Sequence, residues 1–302
     1  MLKGIKGVNK YIYIYNMTNK TLIGKNDYLF LINDTARELE VHCDNVNLVK
    51  DKTLERYTFR NFMLVVFPNK SLIYKDLLPD KYKVQFRPAL DDYIKVLNNK
   101  IIDTYDVLKN EKDIYYKTDT HINFKGAYIV YKHFVQKLNE IYNLNVIPIE
   151  ITLSLKKCIL LDLKLGIGDL LWEQNLGNQQ VNDHTDNFYY SDDSEYIYCN
   201  HKIQKDGKIR ILNKNLNDET DNLIGKIVSW DIISTYILHK KNVCKNKLKV
   251  LIFYDSFLTS TLSLYLDLFE EVYMVKEIYN NKIIDTIKPD FVFEFRVERF
   301  LF

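Results

Sequence analysis

The chain of 302 residues has only four cysteines, and their spacing does not match a metal or redox motif. They are Cys43, Cys158, Cys199 and Cys244, and no two of them form a C-x-x-C pair. Because zinc ribbons and dithiol redox sites use such pairs, neither is expected. Scattered cysteines of this kind are typical of free thiols in a reducing compartment.

Long apolar runs are also absent from the sequence. No run approaches the roughly 18 consecutive apolar residues that a transmembrane helix needs. The N-terminal segment M-L-K-G-I-K-G-V-N-K-Y-I-Y-I-Y is positively charged but lacks a continuous apolar core and a small-residue cleavage site. We therefore expect no membrane span, no signal peptide and a cytoplasmic location.

The chain has no excess of charge of one sign, since its formal net charge is +2 at pH 7. This balance gives no electrostatic reason to expect a nucleic-acid partner. A glycine-rich loop of the kind that cradles phosphates is missing as well. The apolar fraction of 47% is ordinary for a globular protein, and the length allows one large α/β domain, with or without an inserted lobe.

Strand-like and helix-like patterns alternate in the first and last parts of the chain. The apolar run over residues 61–67, ended by Pro68, is typical of a buried parallel strand. Apolar residues at intervals of three and four over residues 124–142 predict a helix with Asn123 as its N-cap. Such alternation predicts an α/β fold with a mostly parallel sheet covered on both faces. The other predicted strands lie in 22–32, 101–105, Lys249–Tyr254, Glu271–Val275 and 290–296, and the other helices in 88–98, 257–268 and 276–287.

Residues 145–247 follow a different pattern, with a polar tract and several short β-like pieces. We interpret them as an insertion of strands and loops, with one helical turn near residues 168–172, within a single domain over residues 1–302. The tract includes Asp183, His184 and Asp186, which are metal-ligand residue types. A solvated loop is the favoured interpretation, and no metal site is expected.

Two short segments carry residues suited to nucleophilic catalysis. Asp119 and His121 lie two residues apart just before the predicted helix 124–142, and Ser256 follows the predicted strand Lys249–Tyr254. A serine nucleophile needs a base within hydrogen-bond reach, and the base needs a partner that fixes its tautomer. Two residues apart in an extended loop, Asp119 and His121 point the same way, so they suit the roles of partner and base.

The position of Ser256 also suits catalysis. Ligands of parallel sheets bind beyond the carboxyl ends of the strands, and Ser256 is predicted to lie at such an end. A helix beginning there would direct its free N–H groups towards the site and stabilise the oxyanion of a tetrahedral intermediate.

Several blocks along the chain, in matching order, point to one known family. They are G-K-N-D-Y-L-F-L at 24–31, V-V-F-P-N-K-S-L-I-Y-K-D-L-L-P at 65–79, Y-Y-K-T-D-T-H-I-N-F-K-G-A at 115–127, G-I-G-D-L at 166–170, F-Y-D-S-F at 253–257 and K-P-D-F-V-F-E-F-R-V-E-R-F-L at 288–301. In these blocks the chain resembles the SGNH-hydrolase-like domain of the alginate O-acetyltransferase family, of the AlgX/AlgJ type. The resemblance implies an SGNH-like (flavodoxin-like) three-layer α/β/α sandwich and a catalytic triad of Asp119, His121 and Ser256.

The resemblance further implies an O-acetyltransferase that moves an acetyl group through an acetyl-serine intermediate onto a carbohydrate hydroxyl. No bound cofactor is expected, but an acetyl donor is required, and acetyl-CoA is one candidate. Two departures from the family pattern are Tyr254 in place of a glycine and Ile122 in place of a tryptophan. Two alternatives stay open, a carbohydrate esterase using the same triad and a catalytically silent glycan-binding protein.

A further group of residues is predicted to contact substrate. Lys70 and Tyr74 follow the first core strand at its carboxyl end, where ligand contacts occur. Glu298 and Arg299 end the last strand, and an ion pair between them that closes the sheet is the favoured interpretation over a role in the site. The candidate substrate-binding residues are Tyr254, Asn123, Lys70, Tyr74 and Arg299.

Overall fold

The structure is a computed structural model that describes residues 20–49, 51–157, 169–172, 186–191, 197–199, 202–204, 237–241 and 246–301. The strands of these residues are β1 (Thr21–Ile23), β2 (Leu29–Leu31), β3 (Phe62–Phe67), β4 (Ile101–Asp103), β5 (Thr152–Lys157), β6 (Asp186–Ser191), β7 (Ile197–Cys199), β8 (Lys202–Gln204), β9 (Ile237–Lys241), β10 (Lys249–Tyr254), β11 (Glu271–Val275) and β12 (Phe291–Val297). Their α-helices are α1 (Glu38–Asp44), α2 (Lys70–Ile73), α3 (Pro88–Leu97), α4 (Tyr105–Leu108), α5 (Phe124–Tyr142), α6 (Asp169–Trp172), α7 (Leu262–Leu266) and α8 (Asn281–Ile287).

A six-stranded sheet forms the centre of the fold, with the strand order β4-β3-β12-β10-β11-β9. The first five of these strands are parallel, and β9 pairs with β11 in the antiparallel direction. The predicted mostly parallel sheet is therefore confirmed. Because β10 lies between β12 and β11, the residue that follows it, Asp255, and then Ser256 emerge near the middle of the sheet edge.

Successive side chains of the central strands point to opposite faces of the sheet, as the pleat requires. Those on one face pack against α5, and those on the other pack against α3 and α8. The helices therefore cover both faces, which gives the three-layer α/β/α sandwich. Strand β12 illustrates the division, since Phe293 and Phe295 belong to the α5 side and Val292 belongs to the opposite side.

Helix α5 has the predicted bounds, and its start is fixed by its cap. The side chain of Asn123 accepts a hydrogen bond from the N–H of Gly126 at 3.1 Å, as an N-cap does. Gly126 allows the preceding loop to approach closely, because a Cβ there would lie 2.7 Å from the carbonyl oxygen of Ile114. The first turn of α5 is thus pressed against the loop that carries Asp119 and His121.

Some predicted elements differ in extent or in the face they bury. In α3, Ile94 is 42% exposed although its neighbour Tyr93 is fully buried. The helix predicted over residues 257–268 begins as a 3-10 turn, Ser256–Thr261, before α7. The helix predicted from residue 276 begins at Asn281, because the side chain of Asn280 caps it by accepting from the N–H of Lys282 at 3.0 Å.

The stretch 145–247 contributes short strands where the structure describes it. Strand β5 pairs with β6, and β7 pairs with β8, in two antiparallel pairs. The helical turn predicted near residues 168–172 is present as α6. Strand β9 is the edge strand of the central sheet, so the main sheet draws on residues within this stretch. Asp183 and His184 lie outside the described residues.

Two further predictions concern membranes and thiols. Within the described parts of the chain, α5 and the shorter helices lack the combination of length and apolar character needed to cross a bilayer. Cys43 is a free thiol, as predicted, and burial raises its pKa. Cys158 and Cys244 lie outside the described residues.

Candidate active site

Ser256 is held in place by the buried carboxylate of the preceding residue. Asp255 accepts hydrogen bonds from the N–H groups of Phe257 at 2.9 Å and Val297 at 2.7 Å. Its own N–H donates to the carbonyl oxygen of Phe295 at 3.2 Å. Because two of these bonds cross to the adjacent strand β12, the position of Ser256 is fixed relative to the sheet.

Asp119, His121 and Ser256 converge in space, although 135 residues separate the histidine from the serine. The Nε2 atom of His121 lies 2.7 Å from the Oγ atom of Ser256. Its Nδ1 atom lies 2.7 Å from Oδ1 of Asp119. With Nδ1–H donating to the carboxylate, Nε2 is left to accept the serine proton, which is the arrangement a nucleophilic triad requires.

The loop before α5 gives His121 and Asp119 their orientation. Tyr115 and Ile122 form an antiparallel bridge that closes this loop. Within it, Oδ1 of Asp119 also accepts the backbone N–H of His121 at 2.8 Å. This local turn, of the kind aspartate side chains form with the backbone two residues on, brings the two side chains to the same side.

Asp169 is a fourth residue of this site, and the motif-based prediction did not assign it a role. One carboxylate oxygen accepts from the N–H of Thr120 at 2.8 Å and the other from the hydroxyl of Thr120 at 2.6 Å. The N–H of Asp169 donates to Oδ2 of Asp119 at 3.1 Å. The block G-I-G-D-L at 166–170, which is part of the family resemblance, was the signal in the sequence for this aspartate. Nothing in that block indicates which residues the aspartate contacts.

The charges around His121 favour its protonated form. Burial by itself lowers the pKa of His121, but the hydrogen bond and charge of Asp119, together with the charge of Asp169, outweigh burial and raise that pKa above its ordinary value. Burial acts to raise the pKa of Asp119, yet its hydrogen bonds to His121 and Asp169 hold the pKa well below the usual range. Burial and then the charge of Asp119 raise the pKa of Asp169. The site therefore stabilises the imidazolium that forms when His121 takes a proton.

Asp119, His121 and Asp169 also form a group whose ligand atoms lie within 4.8 Å of one another, close enough to be compared with a metal site. Their atoms are, however, already engaged with one another, with Thr120 and with Ser256. A cation would have to replace these hydrogen bonds. The geometry therefore fits a hydrogen-bonded triad better than a metal centre.

The segment that begins at Ser256 was expected to be a helix whose free N–H groups bind the oxyanion, and its structure is different. Ser256–Thr261 is a 3-10 turn, and the N–H of Phe257 is already used by Asp255. The N–H of Ser256 heads the turn, so it has no acceptor within the turn. The backbone therefore offers this one N–H to an oxyanion, and the expected row of free helical N–H groups is not available.

Lys70 and Tyr74 support the loop of Asp119, and their predicted contact with substrate stays a prediction. The ammonium group of Lys70 is buried and donates to the carbonyl oxygens of Leu29 at 2.8 Å, Lys117 at 2.8 Å and Asp119 at 3.0 Å. Three acceptors match the three donors of a lysine. The hydroxyl of Tyr74 accepts from the N–H of Ile114 at 3.0 Å.

Asn123 and Tyr254 are likewise structural. Asn123 caps α5 and also donates from its side chain to the carbonyl oxygen of Asp113 at 2.7 Å. Tyr254 is buried in the core on the α5 side, and burial raises its pKa to about 12. Its φ is not positive, so the backbone here does not need the glycine of the family pattern. Ile122, in place of the tryptophan, is buried against the position of Gly126 and does not form a wall of the site.

Glu298 and Arg299 do not pair with each other, contrary to the favoured prediction. Glu298 is buried and pairs with Arg87 at 2.6 Å. Arg299 reaches Glu38 at 3.4 Å, and its guanidinium lies 5.2 Å from the ring centroid of Phe257. Arg299 therefore lies beside Phe257, the residue that follows Ser256.

With this geometry established, comparison with known proteins finds a family model that matches part of the chain. Residues 22–146 match the family model described as "SGNH hydrolase-like domain, acetyltransferase AlgX". The predicted resemblance to this family is confirmed. No curated protein matches the chain. The matched segment of the SGNH hydrolase-like domain includes Asp119 and His121, whereas Ser256 lies beyond it.

Solved structures support the SGNH-like fold over nearly the whole chain. A DHHW family protein from Eubacterium siraeum is 17% identical, with a TM-score of 0.55, and the match covers 93% of this chain and 91% of that one. PatB1 from Bacillus cereus is 14% identical, with a TM-score of 0.54 and coverage of 93% and 96%. A structure of PatB1 with a sulfonyl adduct has a TM-score of 0.52 at 14% identity, covering 94% and 97%. At these identities the likeness establishes the fold alone.

Proposed function

We propose that the protein is an O-acetyltransferase that moves an acetyl group, through an acetyl-serine at Ser256, onto a carbohydrate hydroxyl. The observation that carries the proposal is the continuous hydrogen-bonded line from Asp119 through His121 to Ser256, with both links at 2.7 Å. The acetyltransferase description of the matched family supports the same reaction class. A carbohydrate acceptor and an acetyl donor, of which acetyl-CoA is one candidate, belong to this proposal.

In the first half-reaction, Oγ of Ser256 attacks the carbonyl carbon of the acetyl donor while Nε2 of His121 takes the serine proton. The N–H of Ser256 stabilises the oxyanion of the tetrahedral intermediate. As the intermediate collapses, the bond to the donor's leaving group breaks, and His121 returns the proton to that group. Acetyl-serine and the protonated leaving group result.

In the second half-reaction, His121 removes the proton of a sugar hydroxyl, whose oxygen attacks the acetyl-serine carbonyl. Collapse breaks the bond to Oγ, which regains the proton from His121. Water in place of the sugar would give hydrolysis by the same steps, so the acceptor decides between transferase and esterase. Arg299, whose guanidinium lies over the rings of Phe257 and Phe300 and pairs with Glu38, is the residue we propose to bind substrate next to the triad.

The first test is mass spectrometry of the intact protein after incubation with p-nitrophenyl acetate. We expect one acetyl adduct in the wild type and none in Ser256→Ala, because Oγ of Ser256 is hydrogen-bonded to Nε2 of His121. Ser260→Ala is the matched control, since this serine lies in the same 3-10 turn, and it should be acetylated like the wild type. Loss of Ser256 or His121 should lower turnover by roughly 10⁶-fold, as for other triads that act as a unit.

An adduct in Ser256→Ala would overturn the assignment of the nucleophile. Because one PatB1 structure carries a sulfonyl adduct, a sulfonyl fluoride is a suitable second probe of Ser256. Adding oligosaccharides to the acetyl-enzyme then separates transfer from hydrolysis. Acetylated sugar in the products supports the transferase, and free acetate alone supports the esterase. Glycan binding without any acyl-enzyme supports the silent binding protein.

A further inference from the structure

Asp169 and the loop of Asp119 are interlocked by reciprocal hydrogen bonds. Both carboxylate oxygens of Asp169 accept from Thr120, one from its N–H at 2.8 Å and the other from its hydroxyl at 2.6 Å. In return, the N–H of Asp169 donates to Oδ2 of Asp119 at 3.1 Å. Since Oδ1 of Asp119 accepts from His121, the carboxylate of Asp119 is held at both oxygens. Rotation of Asp119 away from the imidazole would break bonds at both ends.

The turn that carries Asp169 is itself anchored on its other side. The adjacent Leu170 is fully buried and packs against Leu29 and Leu31 of strand β2. The carbonyl oxygen of Leu170 accepts from the hydroxyl of Thr21 in strand β1 at 2.9 Å. The hairpin of β1 and β2 therefore fixes the turn from one side, while Thr120 and Asp119 fix it from the other.

Asp169 also brings a second negative charge to the histidine. Its Oδ2 atom lies 3.6 Å from Nδ1 of His121, and its side chain is 41% exposed, whereas that of Asp119 is 13% exposed. The charged groups that act on His121 are Asp119 on its own loop, Asp169 on α6 and Arg299 after β12. The two carboxylates favour the imidazolium and the guanidinium opposes it.

From this geometry we infer that Asp169 is a positioning residue of the proposed acyltransferase site, which orients Asp119 and places a second negative charge beside Nδ1 of His121. The role of Asp169 in catalysis rests on the proposed function. In each half-reaction His121 becomes doubly protonated before it passes the proton on, and a nearby fixed negative charge stabilises that state. Asp119 supplies the direct hydrogen bond, and Asp169 acts through Asp119 and through its charge.

The decisive variant is Asp169→Asn, which keeps the size and one of the two acceptor oxygens that Thr120 contacts but removes the charge. We would titrate the imidazole nitrogens of ¹⁵N-histidine-labelled protein by NMR over about pH 5 to 9, a window around the ordinary histidine pKa. The His121 signal is assigned by its loss in His121→Asn. The expected result is a lower pKa for His121 in Asp169→Asn than in the wild type. This readout needs no substrate, so it remains informative if the proposed function fails.

Asp113→Asn is the matched control for the titration. Asp113 is an exposed carboxylate near the start of the same loop, and its backbone has a φ of 56°, a conformation that asparagine tolerates. This variant removes one negative charge from the loop without touching His121. It should leave the His121 titration as in the wild type. An unchanged or raised pKa for His121 in Asp169→Asn would overturn the inference.

The rate of acetyl-serine formation gives the second readout. We expect Asp169→Asn to be slower by about 10- to 100-fold, the loss that corresponds to one hydrogen bond to a charged group. As the pH is lowered, the rate of Asp169→Asn should begin to fall at a lower pH than the rate of the wild type, because its His121 stays neutral to a lower pH. Thr120→Val removes the hydroxyl contacts to Asp169 at 2.6 Å and to Nδ1 of His121 at 3.4 Å but keeps the charge of Asp169. It should therefore slow the reaction and lower the pKa of His121 less than Asp169→Asn does. If Asp169→Asn proves unstable, Thr120→Val becomes the deciding variant. A pKa of His121 that Thr120→Val lowers as far as expected for Asp169→Asn would refute the role of the charge.

Discussion

At the scale of single residues, the function of the site depends most on the contacts of His121. Its two ring nitrogens contact an aspartate and a serine, and a second aspartate lies nearby. Each of these contacts requires a side chain from a different position in the chain. A change at any of them should therefore alter the proton affinity of the histidine, and this property can be measured.

The pH dependence of acylation follows from His121. The first step needs a neutral imidazole as base, and the aspartates raise the pKa of His121 above its ordinary value of about 6.5. The rate of acetyl-serine formation should consequently rise with pH and level off only once pH exceeds that raised pKa. A stopped-flow or quenched mass-spectrometric pH profile tests this. A rate that is already level at pH values below about 6.5 would contradict the assigned base.

At the scale of elements, the loop before α5 depends on one buried lysine. Lys70, at the start of α2, donates to carbonyl groups of strand β2 and of the loop that ends at Asp119. These contacts tie two separate segments of the chain to one ammonium group. The role of Lys70 in substrate binding stays a prediction beside this structural role.

Replacing Lys70 by methionine should loosen the loop. The methionine fills similar space but removes one donor from each of three carbonyl oxygens, so we expect a loss of about 2–4 kcal/mol in the free energy of unfolding. Acetyl-serine formation should slow as well, because Asp119 shares this loop. Urea denaturation measures the first effect. Lys75→Met, at an exposed position nearby, should change stability by no more than about 0.5 kcal/mol. Equal effects of the two variants would refute the structural role.

At the scale of the whole molecule, stability should reside in the two apolar layers on either side of the parallel sheet. The central strands β3, β10, β11 and β12 are buried on both faces. Their side chains form the α5 layer on one face and the α3 and α8 layer on the other. The site lies at the carboxyl edge of this sheet, so its geometry depends on the core remaining intact.

A substitution at Phe293 tests how much that core contributes to the free energy of unfolding. It is fully buried in β12 and meets Phe134 of α5 edge-on at a centroid distance of 4.9 Å. Phe293→Ala should lower the free energy of unfolding by about 3–5 kcal/mol, because it removes apolar contacts and leaves a cavity. Ile94→Ala, at a site that is 42% exposed, should change it by no more than about 0.5 kcal/mol. Chemical denaturation followed by circular dichroism compares the two, and similar losses would contradict the assigned core.

The sequence by itself predicted the elements whose patterns are local. Apolar periodicity and chain order predict the bounds of α5, β10 and β11, the N-cap at Asn123 and the parallel sheet. Such patterns can be found in the sequence because they depend on residues that are neighbours in the chain. Asp119, His121 and Ser256 could be named because their residue types and settings are specific. The resemblance in the block around residues 115–127 pointed to the same residues.

Only the tertiary structure decided how side chains far apart in the chain meet. It brought Ser256 to His121, placed Asp169 beside Asp119, and placed the ammonium group of Lys70 against the loop that carries Asp119. It also separated Glu298 from Arg299 by giving each a different partner. Residue spacing carries no information on such contacts, because they arise where strands from different parts of the chain end at the same edge of the sheet.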